Sequence, residues 1–387
     1  MKKLKTLRTS FDIVGALPHL LGFRPRDSLV LVTASRTKEG TVLMGASSRW
    51  DFDTALAERW NDEHTAYVVD TVLTSSPDPL DAIVPVVFSE VYAVALGLDG
   101  GEGDPGLRDL IDAPVHALCE AFVRAGVHVA EPLWASAEFH GSVLDPDVVH
   151  TRATADESQA AVSMIFEGSQ VVEDFDAAVR FAPADLSLVD EAAALRGRGH
   201  AAEDLVWAVV TDVLRLYDEV DFVPGRFRPS PLGLLGVEHM CEEPWSRDAL
   251  QMILGFDHPA FHPEDLRVLS ASEFLPLARE AAGSDESVRS MVGLSPLPPD
   301  FDLLGRSVDY LRSLVPLVRS GIRPAVLAVL AWMEWARMRN SFAEWYAAES
   351  LALDPDYTLA LLVRDAVNAG VTPGWLAGPA CILGRTG

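Results

Sequence analysis

The segment Leu17–Val32 constrains the fold more than any other part of the chain, because signals for a helix end, a tight turn and a buried strand follow one another within it. Gly22 can adopt the left-handed backbone conformation that ends a helix, and Phe23 can fold back onto the last helical turn. Pro25 prevents the helix from continuing beyond that turn. The β-branched and leucine residues of Leu29–Thr33 are then free to enter a sheet. The segment therefore predicts a helix followed directly by a strand.

Helix and strand signals alternate through the first half of the chain. The predicted elements are helix Phe11–Leu21, strands Leu29–Thr33 and Thr41–Trp50, helices Asp53–Asn61 and Ile83–Ser89, the buried strand Val91–Leu98, helix Leu107–Ala125 and strand Val127–Ala130. Such alternation is typical of an α/β layer, in which helices cover a parallel or mixed sheet. We therefore predict an α/β domain over residues 1–183.

Strand signals fade after residue 183, and helical segments separated by proline- and glycine-rich joints follow. The predicted helices are Ala201–Asp218, Pro231–Met240, Arg247–Leu254, Glu273–Ala282, Asp302–Arg319, Pro324–Arg339, Phe342–Leu353 and Thr358–Ala369. We predict an all-α domain over residues 184–387. Its helices Pro324–Arg339 and Phe342–Leu353 resemble one tetratricopeptide (TPR) hairpin, with Ala343 and Pro355 at marker positions. A single hairpin cannot form a solenoid, because such repeats bury their faces against neighbouring repeats.

Composition excludes several classes of protein and of partner. With 49% hydrophobic residues in a chain of 387, disorder is excluded. The net charge of -26 repels both a phosphate backbone and an anionic membrane surface, so we expect neither nucleic acid nor a membrane as partner. All of the net negative charge lies before residue 301, since residues 301–387 contain equal numbers of basic and acidic side chains.

Cysteine usage and apolar patterning favour a soluble protein in the cytoplasm. The three cysteines, Cys119, Cys241 and Cys381, are widely spaced, which argues against a disulfide framework or a Cys-x-x-Cys metal site. The N-terminus has no apolar core of signal-peptide length. The longest apolar stretch, Ile83–Leu98, is interrupted by Pro85 and is too short to cross a bilayer.

Three segments carry a resemblance to a known family. They are the Leu-Leu-Gly-Phe-x-Pro-x-x-Ser-Leu-Val block of Leu20–Val30, the step Ser246-Arg247-Asp248-Ala249, and the hairpin from Ala331-Trp332 to Asp354-Pro355-Asp356-Tyr357. In these segments the chain resembles an actinobacterial family catalogued as a domain of unknown function. The resemblance implies a fold and a type of host organism, but no activity.

The first candidate ligand site is the turn before the first strand. Arg24 and Arg26 bring two guanidinium groups beside Asp27 and Ser28, and such groups bind carboxylates and phosphates. These residues precede their strand, whereas ligands of open α/β sheets collect at the carboxyl ends of strands. The alternative is a structural turn in which the arginines pair with Asp27 and fix the register of the strand.

The second candidate pair, Arg247 and Asp248, follows Pro244-Trp245-Ser246. Ser246 has the chemistry of a helix N-cap, and a carboxylate at Asp248 in the first helical turn is favoured by the helix dipole. Capping therefore explains this segment without a ligand. The functional alternative is that Arg247 makes an ion pair with the acidic α/β domain.

Two further motifs, a glycine-rich loop and a group of histidines with a cysteine, have simpler explanations than a ligand site. The loop Gly101–Gly106 matches the G-x-G-x-x-G pattern of dinucleotide sites, but its acidic side chains would repel a pyrophosphate, so we expect a solvated loop and no cofactor, with calcium as a minor alternative. Zinc ligands could come from His239, Cys241, Glu242, Glu243, His258 and His262. Pro259 and Pro263, however, interrupt the helical spacing of the last two histidines. We therefore expect no metal.

No nucleophile elbow, Walker A loop or His-Glu-x-x-His helix is present, so whether the chain is an enzyme stays open. We expect an interaction or regulatory protein that acts by binding. Its partner, or a second copy, would bind the helical domain and the apolar tail 371–383, unless that tail packs on its own domain. The alternative is an enzyme or sensor for a small anionic ligand at Arg24, Arg26 and Asp27.

Overall fold

The computed structural model describes residues 9–36, 42–75, 80–166, 169–220, 222–255 and 261–376. These residues contain seven strands and nineteen α-helices, so both an α/β region and a helical region are present. The chain forms two compact units, Met1–Arg180 and Phe181–Gly387. None of the helices among the described residues combines the length and the apolar character that a bilayer crossing requires.

The first unit contains all seven strands and eight of the helices. The strands are β1 (Ser28–Arg36), β2 (Val42–Asp51), β3 (Ala82–Phe88), β4 (His128–Val129), β5 (Leu133–Ala135), β6 (Phe139–Ser142) and β7 (Val149–Thr151). The helices are α1 (Ser10–Leu21), α2 (Thr54–Arg59), α3 (Asp62–Ser75), α4 (Glu90–Ala95), α5 (Pro105–Arg124), α6 (Arg152–Asp156), α7 (Gln159–Phe166) and α8 (Phe175–Val179).

The strands form one mixed sheet in the order β2-β1-β3-β5-β6-β7, and β4 also pairs with β3. Strand β3 is antiparallel to β1 and parallel to β4 and β5. Alternate residues of β1 enter two different cores: Leu29 and Leu31 join one apolar cluster, and Val30 and Val32 join the other. The sheet is therefore covered on both faces, as the α/β prediction requires.

The predicted end of the first helix is confirmed. Gly22 has a φ of 85°, and its N–H donates to the carbonyl of Pro18 at 2.7 Å. Phe23 is buried, and Asp27, with a φ of 42°, turns the chain into β1. A positive φ at a residue with a side chain is uncommon, and aspartate tolerates it better than most residues.

The prediction for Ile83–Leu98 is wrong, because helix and strand occur in the opposite order. Residues Ala82–Phe88 form β3, and Glu90–Ala95 form α4, which Ser89 caps by accepting from the Tyr92 N–H. Pro85 is tolerated in the strand because β3 pairs with β4 only through Ile83 and with β5 only from Val86 onwards. The short strands β5 to β7 were not predicted.

The second unit contains only helices among its described residues, as the sequence predicted. They are α9 (Leu186–Arg196), α10 (Ala202–Asp218), α11 (Pro231–Met240), α12 (Pro244–Gly255), α13 (Pro263–Leu266), α14 (Ala271–Ala282), α15 (Asp285–Met291), α16 (Phe301–Leu314), α17 (Arg323–Ala336), α18 (Asn340–Leu353) and α19 (Thr358–Asn368), followed by a 3₁₀ turn at Gly374–Leu376. Helix α17 is buried on all sides and packs against α18 and α19.

The described part of the tail packs within its own unit. Trp375 is buried, and its indole N–H donates to the carbonyl of Ala336 at 3.2 Å. Its ring lies edge-on to Trp335. Residues 377–383 of the predicted tail lie outside the described residues.

Candidate functional site

The arginines of the first candidate site are ion-paired with carboxylates far away in the sequence. Arg24 Nη2 lies 3.1 Å from Asp156 Oδ2, and Arg26 Nη2 lies 3.4 Å from Glu173 Oε1. Both guanidinium groups are about half exposed. Since each guanidinium group already donates a hydrogen bond to a carboxylate, part of its capacity to bind an anion is used within the fold, and this geometry does not favour an anion clamp.

Asp27 and Ser28 make hydrogen bonds that stabilise the turn before β1. The carbonyl of Asp27 accepts from the Phe52 N–H at 2.7 Å, which fixes the start of β1 beside the end of β2. The Ser28 hydroxyl is buried, donates to the carbonyl of Arg26 at 2.6 Å and accepts from Arg49 Nε at 2.9 Å. The predicted pairing of the arginines with Asp27 is replaced by the contacts to Asp156 and Glu173.

Arg247 and Asp248 pair with each other inside the helical unit. Arg247 Nη2 donates to Asp248 Oδ1 at 2.9 Å, and Nη1 donates to the Tyr357 hydroxyl at 3.3 Å. The predicted N-cap role of Ser246 is wrong, because α12 begins at Pro244. The buried Ser246 hydroxyl instead donates back to the carbonyl of Met240 at 2.8 Å, which ties the end of α11 to α12.

The Gly101–Gly106 loop and the candidate zinc residues lie in surroundings that do not favour a ligand. The G-x-G-x-x-G loop follows helix α4 rather than a strand, and Asp104 Oδ1 accepts from the N–H groups of Gly106 and Leu107 at the start of α5. A carboxylate of the chain therefore takes the position that a phosphate would need. His258 lies outside the described residues, and the described ones contain no group of three or more side chains suited to hold a metal ion.

A cavity of about 460 Å³ lies in the first unit between α5 and the loop after β6. None of the six residues singled out from the sequence lines it. The lining residues are Arg108, Asp109, Asp112, Ala113, His116, Val143, Leu144 and Pro146. The residues from α5 are mostly charged or titratable and those from the loop are apolar, a combination that can orient a small molecule and cover its apolar part.

The charged wall follows from the amphipathic pattern of α5. Asp104 caps this helix and Pro105 occupies its first turn. Residues 108, 112 and 116 are four apart and so share one face, while the apolar face with Ile111, Val115, Leu118 and Phe122 enters the core cluster on the sheet.

Asp112 is the buried acid of the cavity. Its carboxylate Oδ1 accepts a hydrogen bond of 2.7 Å from the hydroxyl of Tyr92, which is itself fully buried. Burial raises the pKa of Asp112, and the hydrogen bond from Tyr92 and the charges of His116 and Arg108 offset part of that rise. Burial also raises the pKa of Tyr92, which therefore stays a hydrogen-bond donor. Tyr92 stacks on Trp134 at 5.1 Å between ring centroids, and this contact fixes the tyrosine ring.

Arg108 carries the positive charge of the wall. Its Nε lies 3.6 Å from Asp112 Oδ2, and its Nη2 lies 3.7 Å from Asp109 Oδ1. Both distances are too long for hydrogen bonds. The Arg108 Nε is buried and has no hydrogen-bond partner among the described residues.

The apolar wall is a tight turn held by the backbone. Gly141 permits it, because a Cβ at this position would lie 2.3 Å from the carbonyl oxygen of Val148. The Val143 N–H donates to the carbonyl of Pro132 at 2.9 Å, and the Val148 N–H donates to that of Asp145 at 3.1 Å. Val143 is buried, whereas Leu144 is 62% exposed at the rim.

The cavity combines a guanidinium group, two carboxyl groups and an imidazole with an apolar wall. It can hold a small polar molecule through charged hydrogen bonds and cover its apolar part. The sequence contains one signal of this site, namely the four-residue spacing of Arg108, Asp112 and His116 on the predicted helix Leu107–Ala125, which matches no known motif. Tyr92 was not predicted, because it lay in a segment assigned to a strand.

The cavity lies within a region that matches a known family. A family model described as a domain of unknown function (DUF4192) matches residues 11–260 and 305–374. No curated protein and no solved structure matches the chain.

Proposed function

The chain belongs to this family of domains of unknown function, and because membership brings no activity with it, we propose from the geometry that the protein acts by binding. Its α/β part, over residues 1–183, takes a small polar ligand in the α5 cavity, and its helical part, over residues 184–387, contacts a partner. This combination describes an interaction or regulatory protein of the cytoplasm. The free thiols of Cys119 and Cys241 are consistent with a reducing compartment.

The observation that carries the proposal is the buried carboxyl of Asp112 in the lining of the cavity. Burying a carboxylate costs free energy because the charged group loses its hydration. In this fold the hydrogen bond from Tyr92 offsets only part of that cost, and the pKa of Asp112 stays raised. Groups with such raised pKa values cluster at functional sites. Asp112 also lies beside a guanidinium group without hydrogen-bonding it, so both groups keep capacity for a ligand.

The test is a thermal-shift screen of the full chain against small amines, carboxylic acids, amino acids and polyols. A ligand that binds only the folded state raises the unfolding temperature. Asp112→Asn is compared with Glu120→Gln, which makes the same charge change at an exposed position of the same helix. We expect compounds that stabilise the wild type and the Glu120→Gln variant but not Asp112→Asn. Either no stabilising compound, or equal stabilisation of Asp112→Asn, would refute the cavity as the ligand site.

For the helical part we propose self-association through α18 and α19. Helices α17, α18 and α19 pack on one another, and the packing of α17 on α18, with Ala343 buried, supports the likeness to a TPR hairpin. Leu353 and Leu362 are 53% and 61% exposed. Trp375 is buried in its own unit, so the contact surface that we propose consists of α18 and α19.

Sedimentation velocity over a wide range of protein concentrations tests this second proposal. We expect a concentration-dependent dimer in the wild type and a monomer for Leu362→Lys. Arg364→Gln, a polar change on the same helix, serves as the control and should still dimerise. A monomer at every concentration in the wild type would refute self-association.

A further inference from the structure

The charged wall of the α5 cavity has more hydrogen-bonding capacity than the fold uses. The buried Nε of Arg108 has no hydrogen-bond partner among the described residues, and Asp112 accepts a hydrogen bond from Tyr92. The contacts of Arg108 to both carboxylates are purely electrostatic, at 3.6 and 3.7 Å. Two carboxyl groups, one guanidinium group and one imidazole thus belong to residues that line one space of about 460 Å³.

The order of charges along this wall restricts the ligand. The guanidinium group of Arg108 lies between the carboxylates of Asp109 and Asp112. A ligand with a single charge would satisfy one kind of group and be repelled by the other. A ligand with adjacent positive and negative groups satisfies both kinds, because a carboxylate suits the Arg108 fork and an ammonium group suits the Asp112 carboxylate.

The facing wall selects for an apolar substituent. Val143, Leu144 and Pro146, which also line the cavity, have hydrocarbon side chains. Leu144 is exposed at the rim, so covering it with an apolar group removes hydrocarbon surface from water. The turn that carries these residues is held by backbone hydrogen bonds, so little ordering is needed when a ligand binds.

We propose that the α5 cavity binds a small apolar α-amino acid as its zwitterion. The α-carboxylate lies on Arg108, the α-ammonium group lies beside Asp112, and the apolar side chain packs against Val143, Leu144 and Pro146. This inference rests on the proposed function, because it names the class of the ligand that the cavity takes. His116, at the exposed end of the same helix face, completes the rim.

Isothermal titration calorimetry of the full chain with four probes tests the inference. L-leucine carries both charges and an apolar group, L-leucinamide lacks the carboxylate, 4-methylpentanoate lacks the ammonium group, and glycine lacks the apolar group. We expect L-leucine to bind, and each of the other three probes to bind at least about tenfold more weakly, since each loses one set of contacts.

Variants assign the contacts. Arg108→Gln should weaken L-leucine about tenfold or more and leave the affinity for L-leucinamide unchanged, because that probe has no carboxylate. Asp112→Asn should weaken both probes, and Glu120→Gln should weaken neither. Because Arg108 is partly exposed, we expect Arg108→Gln to fold, and it tests the inference even if Asp112→Asn does not fold.

The outcomes separate the two proposals. If 4-methylpentanoate, L-leucinamide or an unrelated hit of the screen binds as tightly as L-leucine and requires Asp112, the zwitterion inference is overturned and the proposed function stands. If L-leucine binds the Arg108→Gln and Asp112→Asn variants as tightly as the wild type, the cavity assignment fails and both proposals are overturned. If neither the probes nor any compound of the screen binds, both are overturned as well.

Discussion

The hydroxyl of Tyr92 donates a hydrogen bond of 2.7 Å to Asp112 Oδ1, and this contact links α4 to α5 beside the cavity. This hydrogen bond occupies one oxygen of the Asp112 carboxylate, and the other oxygen, Oδ2, faces Arg108. Both side chains are buried, and Tyr92 is held by its stacking on Trp134. Tyr92 thereby orients the acid that we assign to the ligand.

Removing this donor should destabilise the fold and weaken the site. Tyr92→Phe leaves the buried carboxyl with no hydrogen bond, so we expect a loss of about 1–3 kcal/mol in the free energy of unfolding. The pKa of Asp112 should rise further, because the hydrogen bond from Tyr92 lowers it. Urea unfolding measures the first effect, and Tyr67→Phe, at an exposed position of α3, is the control. Equal stability of both variants would contradict the role of Tyr92.

Acid should destabilise the α/β unit through His140. This residue is fully buried, and its Nε2 lies 3.2 Å from the Thr154 hydroxyl, which donates to the carbonyl of Thr151 at 2.6 Å. The Thr154 oxygen therefore accepts from Nε2–H, and Nδ1 has no partner among the described residues. Burial, together with the charges of His150 and Arg152, lowers the pKa of His140 to about 4.

A lowered pKa of a base means that the unfolded state binds the proton more tightly than the folded state. Stability from His140 is therefore complete above its ordinary pKa of 6.5 and is lost as the pH falls toward about 4. We expect this one group to contribute up to about 3 kcal/mol of that loss. Unfolding free energies measured across this range should fall less steeply for His140→Asn than for the wild type. His128→Asn, on the exposed end of β4, should keep the wild-type slope.

The close packing of α1 on α6 predicts a sensitive glycine. A Cβ at Gly15 would lie 2.0 Å from the carbonyl oxygen of Ala155, so Gly15→Ala must separate the two helices. We expect a loss of about 2 kcal/mol or more in the free energy of unfolding. Gly197→Ala is the matched control, because nothing lies within 4 Å of its Cβ position. Tolerance of Ala at position 15 would show that the helices are not in contact there.

Two thiols should be inert in the folded chain. Burial raises the pKa of Cys119 to about 11 and that of Cys241 to about 12, and the thiolate is the reactive form. A thiol reagent at neutral pH, followed by mass spectrometry of the peptides, should leave both cysteines unlabelled until the chain is unfolded. Rapid native labelling of Cys241 would contradict its burial in the helical unit.

Arg247 should prove structural rather than ligand-binding. It joins α12 to the start of α19 through Tyr357 and is mostly buried. We expect Arg247→Gln to lower the free energy of unfolding by about 1–3 kcal/mol and to leave ligand affinity at the α5 cavity unchanged. Calorimetry and urea unfolding of the same variant check both statements. A loss of affinity without a loss of stability would restore Arg247 as a candidate ligand residue.

Local signals predicted much of this fold because they act within a few residues. Gly22, Phe23 and Pro25 specify a helix end and a strand start by conformational preference alone, and the structure confirms both. The prediction for Ile83–Leu98 is wrong because a short apolar run fits a buried strand and a buried helix equally well. The N-cap at Ser89 was the local signal that separates the two, and it was overlooked.

The site was less predictable, since it depends on contacts between distant segments. The face with Arg108 and Asp112 could be inferred from spacing on a predicted helix, but the facing wall at Val143 and the buried donor Tyr92 come from other elements. Arg24 illustrates the reverse case. Its chemistry suggested a ligand, and its partner Asp156, far along the chain, shows how the fold uses that charge.

A crystal structure of the full chain grown with L-leucine would locate the ligand. We expect density for it between α5 and the turn after β6, with its carboxylate within hydrogen-bonding distance of Arg108 and its ammonium group beside Asp112. Ligand density at another place in a chain whose α5 cavity contains none would contradict this placement of the ligand.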